Sequence, residues 1–161
     1  MKKEDIKDFM QSIIIGFILA IVISLVIKPV KVVGESMDNT LYDGQRLFVF
    51  RQAYFGKNNP KINDIVVVNT DKFGDAKKII KRVIATEGQS IQIDGSQVYV
   101  NGELLEEPYI KEPMSEDWDI NIEEIPQGKL FIMGDNRNNS GDSRQIGLVD
   151  ESDVYGKVIG Y

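Results

Sequence analysis

The chain has 161 residues, 42% of them hydrophobic, and a net charge of −6. That is room for one modest domain plus an appendage, without the basic excess that a nucleic-acid surface needs. It has no cysteine and no histidine, which excludes disulfides, thiolate nucleophiles and imidazole as base or metal ligand; a nucleophilic serine here would need lysine or a carboxylate as its base.

Met1 to Asp8 is short and mixed in charge. Phe9 to Ile27 follows, 19 residues without a charge, which as a helix would reach roughly 28 Å, close to the hydrocarbon thickness of a bilayer. Lys28 ends the run, and Pro29 opposes continuation of the helix. A cleaved signal peptide would end in a small-x-small site, which Ser24 to Pro29 does not offer. A domain this small has no interior that could surround a helix apolar on every side. Residues 9–27 are therefore predicted to be a membrane anchor, between a cytoplasmic 1–8 segment and an extracytoplasmic domain over 28–161. Lys2, Lys3 and Lys7 precede the span while Lys28 and Lys31 follow it, a slight bias towards the N-terminus inside.

After the span the pattern becomes period two. Strands are predicted at Val30–Val33, Arg46–Arg51, Asp64–Asn69 and Lys77–Thr86, all rich in β-branched and aromatic residues. Ser90–Asp94 and Gln97–Asn101 alternate around Gly95-Ser96, with a second tight turn at Asn101-Gly102. Glu106–Glu124 is acidic, holds Pro108 and Pro113, and reads as an irregular excursion. Leu130–Met133 is a short buried strand and Val154–Tyr161 a closing one. The expected fold is mainly β: a transmembrane helix, then a compact antiparallel β domain.

Three stretches carry chemistry. Ser36 lies in Gly34-Glu35-Ser36-Met37-Asp38-Asn39-Thr40-Leu41; Gly-x-Ser alone is equally the sequence of an ordinary loop. In Ile79-Ile80-Lys81-Arg82-Val83-Ile84-Ala85, alternation puts Lys81 on one face with Ile79, Val83 and Ala85. Burial there would lower its pKa towards that of a usable base; the alternative is a lysine that snorkels to water along its stem. Gly134 to Arg144 holds two aspartates, two arginines and two serines directly after an apolar strand. Such a loop can knit itself with charge-assisted hydrogen bonds, or be a polar hairpin or cation-binding loop. Its Asp/Asn spacing does not continue to the glutamate an EF-hand requires.

Together these stretches resemble the bacterial type I signal peptidases, membrane-anchored serine proteases with a Ser-Lys dyad. Ser36-Met37-x-x-Thr40-Leu41 looks like that family's nucleophile motif and Lys81-Arg82-Val83-Ile84 like its lysine motif. Gly134-Asp135-Asn136-Arg137-x-x-Ser140-x-Asp142-Ser143-Arg144 matches its third motif throughout. The resemblance implies two antiparallel sheets, no metal or organic cofactor, and cleavage after small-x-small motifs in preproteins. It implies Ser36 as nucleophile, Lys81 as base, and the Ser36 amide as oxyanion donor. It further implies Ser140 as the serine that orients the lysine, Asp142 and Arg144 as the pair bracing the loop, and Met37 beside the substrate. Asn39 departs from the family's usual proline, Gly34 stands where some members have a donor serine, and Ala85, Glu87 and Gln89 replace the usual turn around Gly88. With eight residues between Ile27 and Ser36, an extended link of at most roughly 30 Å keeps the serine near the bilayer. The implied partners are preprotein signal peptides and the lipid bilayer, with no nucleic acid, and the expected oligomeric state is a monomer. The rivals are a repressor-type Ser-Lys protease, which would need a DNA-binding module in place of the anchor, and a catalytically silent membrane-tethered assembly or chaperone protein of the same fold.

Overall fold

The computed structural model describes residues 3–56, 58–73 and 76–161. Helix α1, Lys3–Val26, includes a 21-residue stretch, Ile6–Val26, long and apolar enough to cross a membrane. Its side chains are exposed on every face, from Phe9 and Phe17 to Ile23 and Leu25. Among the described residues no protein surface covers them, the exposure expected of a helix that lies in lipid. The helix stops at Val26 because Ile27 already pairs with Phe50 in a sheet; the strand thus starts one residue inside the expected span and earlier than Val30.

Seven strands form the main antiparallel sheet: β1 (Ile27–Lys31), β2 (Arg46–Phe50), β3 (Ile65–Phe73), β4 (Ala76–Thr86), β9 (Lys129–Met133), β10 (Val149–Asp150) and β11 (Val154–Ile159). Their order is β1-β2-β11-β3-β4-β9-β10. Pro29 is tolerated because β1 is an edge strand, where a missing N–H costs no ladder bond. A second sheet has the order β7-β6-β5-β8, from β5 (Ile91–Gly95), β6 (Gln97–Val100), β7 (Glu103–Leu104) and β8 (Trp118–Ile122).

Strand β8 corrects the reading of Glu106–Glu124 as wholly irregular. Its register against β5 is continuous from Ile91↔Ile122 to Gly95↔Trp118. Trp118, Ile120 and Ile122 pack on the core while Asp119 and Asn121 face water, a period-two pattern that the surrounding acidic residues and prolines mask. Between the sheets lies a cluster that includes Ile84, Ile91, Ile93, Phe131 and Met133. A second, with Met37, Leu41, Leu47, Val49 and Val67, lies under the nucleophile loop. Ile79 and Val83 share a third cluster, as alternation predicts, but a register shift between Val83 and Ala85 sends Ala85 into the first.

Candidate active site

The Ser36 loop is a tight turn built on two buried anchors. Met37 and Leu41 are 1% and 0% exposed, and Met37's carbonyl accepts from the amides of Thr40 and Leu41. Met37 thus holds the turn in the core while its flank lies on the wall of the adjoining cleft. Gly34, at φ +89°, donates its amide to Asp43 Oδ1 at 2.8 Å; a serine there would sit in strained left-handed backbone.

Asn39 has φ +104°, which a proline ring, fixed near −65°, cannot adopt. The departure at this position is therefore a different turn, closed by Tyr42 Oη donating to the Asn39 carbonyl. Asn39→Pro is expected to lower stability by more than about 1 kcal/mol, read as a lower thermal midpoint. An unchanged midpoint would mean the turn readily takes the other geometry.

Strand β4 delivers Lys81 to this turn. Lys81 Nζ lies 2.6 Å from Ser36 Oγ, across 45 residues of sequence, and Lys81 is only 3% exposed. It does not snorkel. Burial pushes its pKa down to about 8; the Asp142 and Asp135 carboxylates pull upward and the Arg144 guanidinium pushes down. Among the described residues no acceptor is bonded to the Ser36 amide, which leaves that N–H for a developing oxyanion.

The third stretch holds both groups in place. The Asn136 amide donates to the Ser36 carbonyl at 3.1 Å and Asn136 Nδ2 to that of Glu35 at 3.0 Å. A Cβ on Gly134 would overlap both Ser140 Oγ and the Ser36 carbonyl, so only glycine lets the two loops meet. Asp142 is fully buried and caps the short helix α2 (Ser143–Ile146). It accepts from the Gly134 amide, from Ser140 Oγ at 2.7 Å and from Arg144 Nε at 2.8 Å. Ser140 therefore spends its proton on Asp142, and no hydrogen bond joins it to Lys81 among the described residues.

A buried fork from Arg82 to Asp135 (2.8 and 2.6 Å), which Thr40 Oγ1 joins at 2.5 Å, ties β4 to both loops. Sequence reasoning missed the residues that seal this network. Arg137 pairs bidentately with Glu107, and the Tyr109 ring lies 3.9 Å from the Arg82 guanidinium. Both come from the acidic excursion, and nothing in its local pattern marks them. The altered turn after the lysine strand closes itself, with Gln89 Oε1 accepting from the Thr86 amide and hydroxyl. Beside Ser36 and Lys81 runs a cleft of about 200 Å³ with apolar walls from Val30, Val32, Val67 and Ile80.

Residues 6–160 match the family described as signal peptidase, peptidase S26. The chain belongs to the signal peptidase family. It is 37% identical to a signal peptidase I of Bacillus licheniformis over 168 residues, covering 96% of this chain and 87% of that one. It is 34% identical to signal peptidase IB of Staphylococcus aureus strain COL, covering 98% and 89%. Among solved structures, a signal peptidase I from Enterococcus faecalis V583 superposes with a TM-score of 0.53 at 27% identity, over 62% of this chain and 97% of that one. With its exposed apolar helix, this signal peptidase is a membrane-anchored protein.

Proposed function

We propose that this protein removes signal peptides from exported preproteins, as a membrane-anchored serine endopeptidase cutting after small-x-small motifs, with Ser36 and Lys81 as its dyad. The observation that carries the reading is the lysine amine, buried and 2.6 Å from Ser36 Oγ, beside a cleft with apolar walls. Neutral Lys81 takes the hydroxyl proton as Oγ attacks the carbonyl at the cleavage site. The Ser36 amide meets the oxyanion, and Lys81 then returns the proton to the leaving amine. Water, activated by the same lysine, hydrolyses the acyl-enzyme. Ser140, Asp142 and Arg144 hold the loop beside the lysine, and Met37 bounds the cleft. No metal or organic cofactor enters this chemistry. The small span between Val26 and Ser36 keeps the reaction at the bilayer surface, which we place on the extracytoplasmic side, the N-terminus inside and the enzyme a monomer.

The test is cleavage of a preprotein in detergent by wild type and by Ser36→Ala. Processing at the small-x-small site by wild type alone is the expected result; equal processing by the variant, or none by folded wild type, would support a silent membrane-tethered scaffold. The pH dependence follows from Lys81. The active form is the free amine, so kcat/KM should rise about tenfold per pH unit up to about 8 and level above it. A profile flat from pH 6 to 9 would rule out Lys81 as the base.

A further inference from the structure

The charge of the chain is divided along its length. Residues 28–82 hold eleven basic and six acidic side chains, and residues 83–161 five basic and sixteen acidic. The basic part builds β1 to β4 and the nucleophile loop, and it follows directly on the membrane helix; the acidic part includes the whole second sheet.

Three of these cations gather where the helix leaves the membrane. The Arg51 amide donates to the carbonyl of Val26, the last residue of α1, at 3.0 Å. Lys28 is the second residue of β1, beside the Ile27↔Phe50 pair. Arg51 and Lys78 both lie against the Tyr155 ring, at 5.0 and 3.9 Å from its centroid, and Lys78 also stands at the edge of the cleft. Among the described residues none of the three has a carboxylate within salt-bridge distance. One aromatic ring thus holds two like charges close together with no anion between them, a local repulsion that an anion would relieve. Four residues past Arg51, Phe55 is 81% exposed, an apolar side chain of the kind that enters a headgroup layer.

We propose that Lys28, Arg51 and Lys78 bind the phosphates of anionic lipid headgroups, with Phe55 inserted beside them, so that the lipid surface sets the height of the cleft over the bilayer. The same surface repels the acidic second sheet, which biases the tilt as well. The proposal rests on α1 being a membrane anchor and on the proteolytic reading. A basic residue at an anionic surface is worth roughly fivefold in affinity, so three together make a selective contact, weakened by salt.

The experiment uses the full chain in vesicles of phosphatidylcholine alone or mixed with phosphatidylglycerol. Native mass spectrometry after gentle extraction reads which lipid stays bound, and cleavage of a membrane-inserted preprotein reads the consequence. Wild type should retain phosphatidylglycerol over phosphatidylcholine and cleave several-fold faster in the mixed vesicles, with the gain lost at high salt. The Lys28→Gln/Arg51→Gln variant, which keeps Lys78, should lose most of the lipid selectivity, roughly twenty-fivefold for two basic residues, and most of the gain, while cleaving in detergent at the wild-type rate. Equal retention of the two lipids by wild type, or unchanged selectivity in the variant, overturns the proposal. Absence of cleavage in every medium with lipid selectivity intact would instead count against the proteolytic reading alone.

Discussion

Lys81→Met is expected to reduce preprotein cleavage by at least about a thousandfold and, at the same time, to make the protein more stable. The loss follows from the geometry, since Nζ is the only basic group bonded to Ser36 Oγ among the described residues. Because serine and lysine act as one unit, the Ser36→Ala/Lys81→Met double variant should be no slower than either single one. The gain in stability follows from burial. The Lys81 amine is lowered from 10.5 to about 8 in the folded chain, so holding the ammonium inside costs on the order of 3 kcal/mol. Unfolding lets the amine bind its proton more tightly. The cost is therefore full below pH 8, shrinks as pH rises towards 10.5, and is gone once both states are neutral. Methionine has a similar volume and no charge, so the thermal midpoint of Lys81→Met in detergent should exceed wild type at neutral pH and converge with it at high pH. Equal or lower midpoints at neutral pH would mean that the lysine is held there as a well-compensated cation and is no ready base.

How far this could be read beforehand differs from residue to residue. The strands of the main sheet are legible because Arg46–Phe50, Ile65–Val68 and Ile79–Val83 are rich in β-branched or aromatic residues, which marks them as strands. Strand β8 is not, because five alternating residues sit inside a longer acidic, proline-bearing segment and take their order from pairing with β5. Lys81 is the instructive case. Its local pattern allowed either burial or snorkelling, and the choice is made by Ser36 and Asp142, 45 and 61 positions away. Glu107 and Tyr109 lie further from legibility still: their partners Arg137 and Arg82 are 30 and 27 positions distant, and only the folded chain sets them together. The turn at Asn39 could not be read from likeness, because the backbone there has a conformation proline cannot share.

Asp142→Asn and Arg144→Met should move the pH profile in opposite directions, and both should cost stability. Asp142 and Arg144 form a pair with side chains 0% and 1% exposed. Removing one member of such a pair leaves a buried charge without its partner, at about 3–5 kcal/mol; Asp142→Asn softens this because the amide oxygen still accepts one bond, but it loses the charge facing Arg144. A loop that merely had to be intact would give two damaged enzymes with the same profile. The electrostatics predict otherwise. After burial, which lowers the Lys81 pKa most, Asp142 acts to raise it and Arg144 to lower it. Loss of the carboxylate should therefore shift the rising limb of kcat/KM to lower pH, and loss of the guanidinium should shift it to higher pH, at temperatures where both variants remain folded. The Asp142→Asn enzyme would then keep more of its own maximal activity at pH 6 than wild type does, despite its lower thermal midpoint. Limbs that coincide in the two variants would show that the pair reaches Lys81 only through the shape of the loop. Limbs that part would show that its charges are felt at the amine itself, with the fully buried carboxylate of Asp142 holding the lysine's pKa up near 8 when burial alone would take it lower.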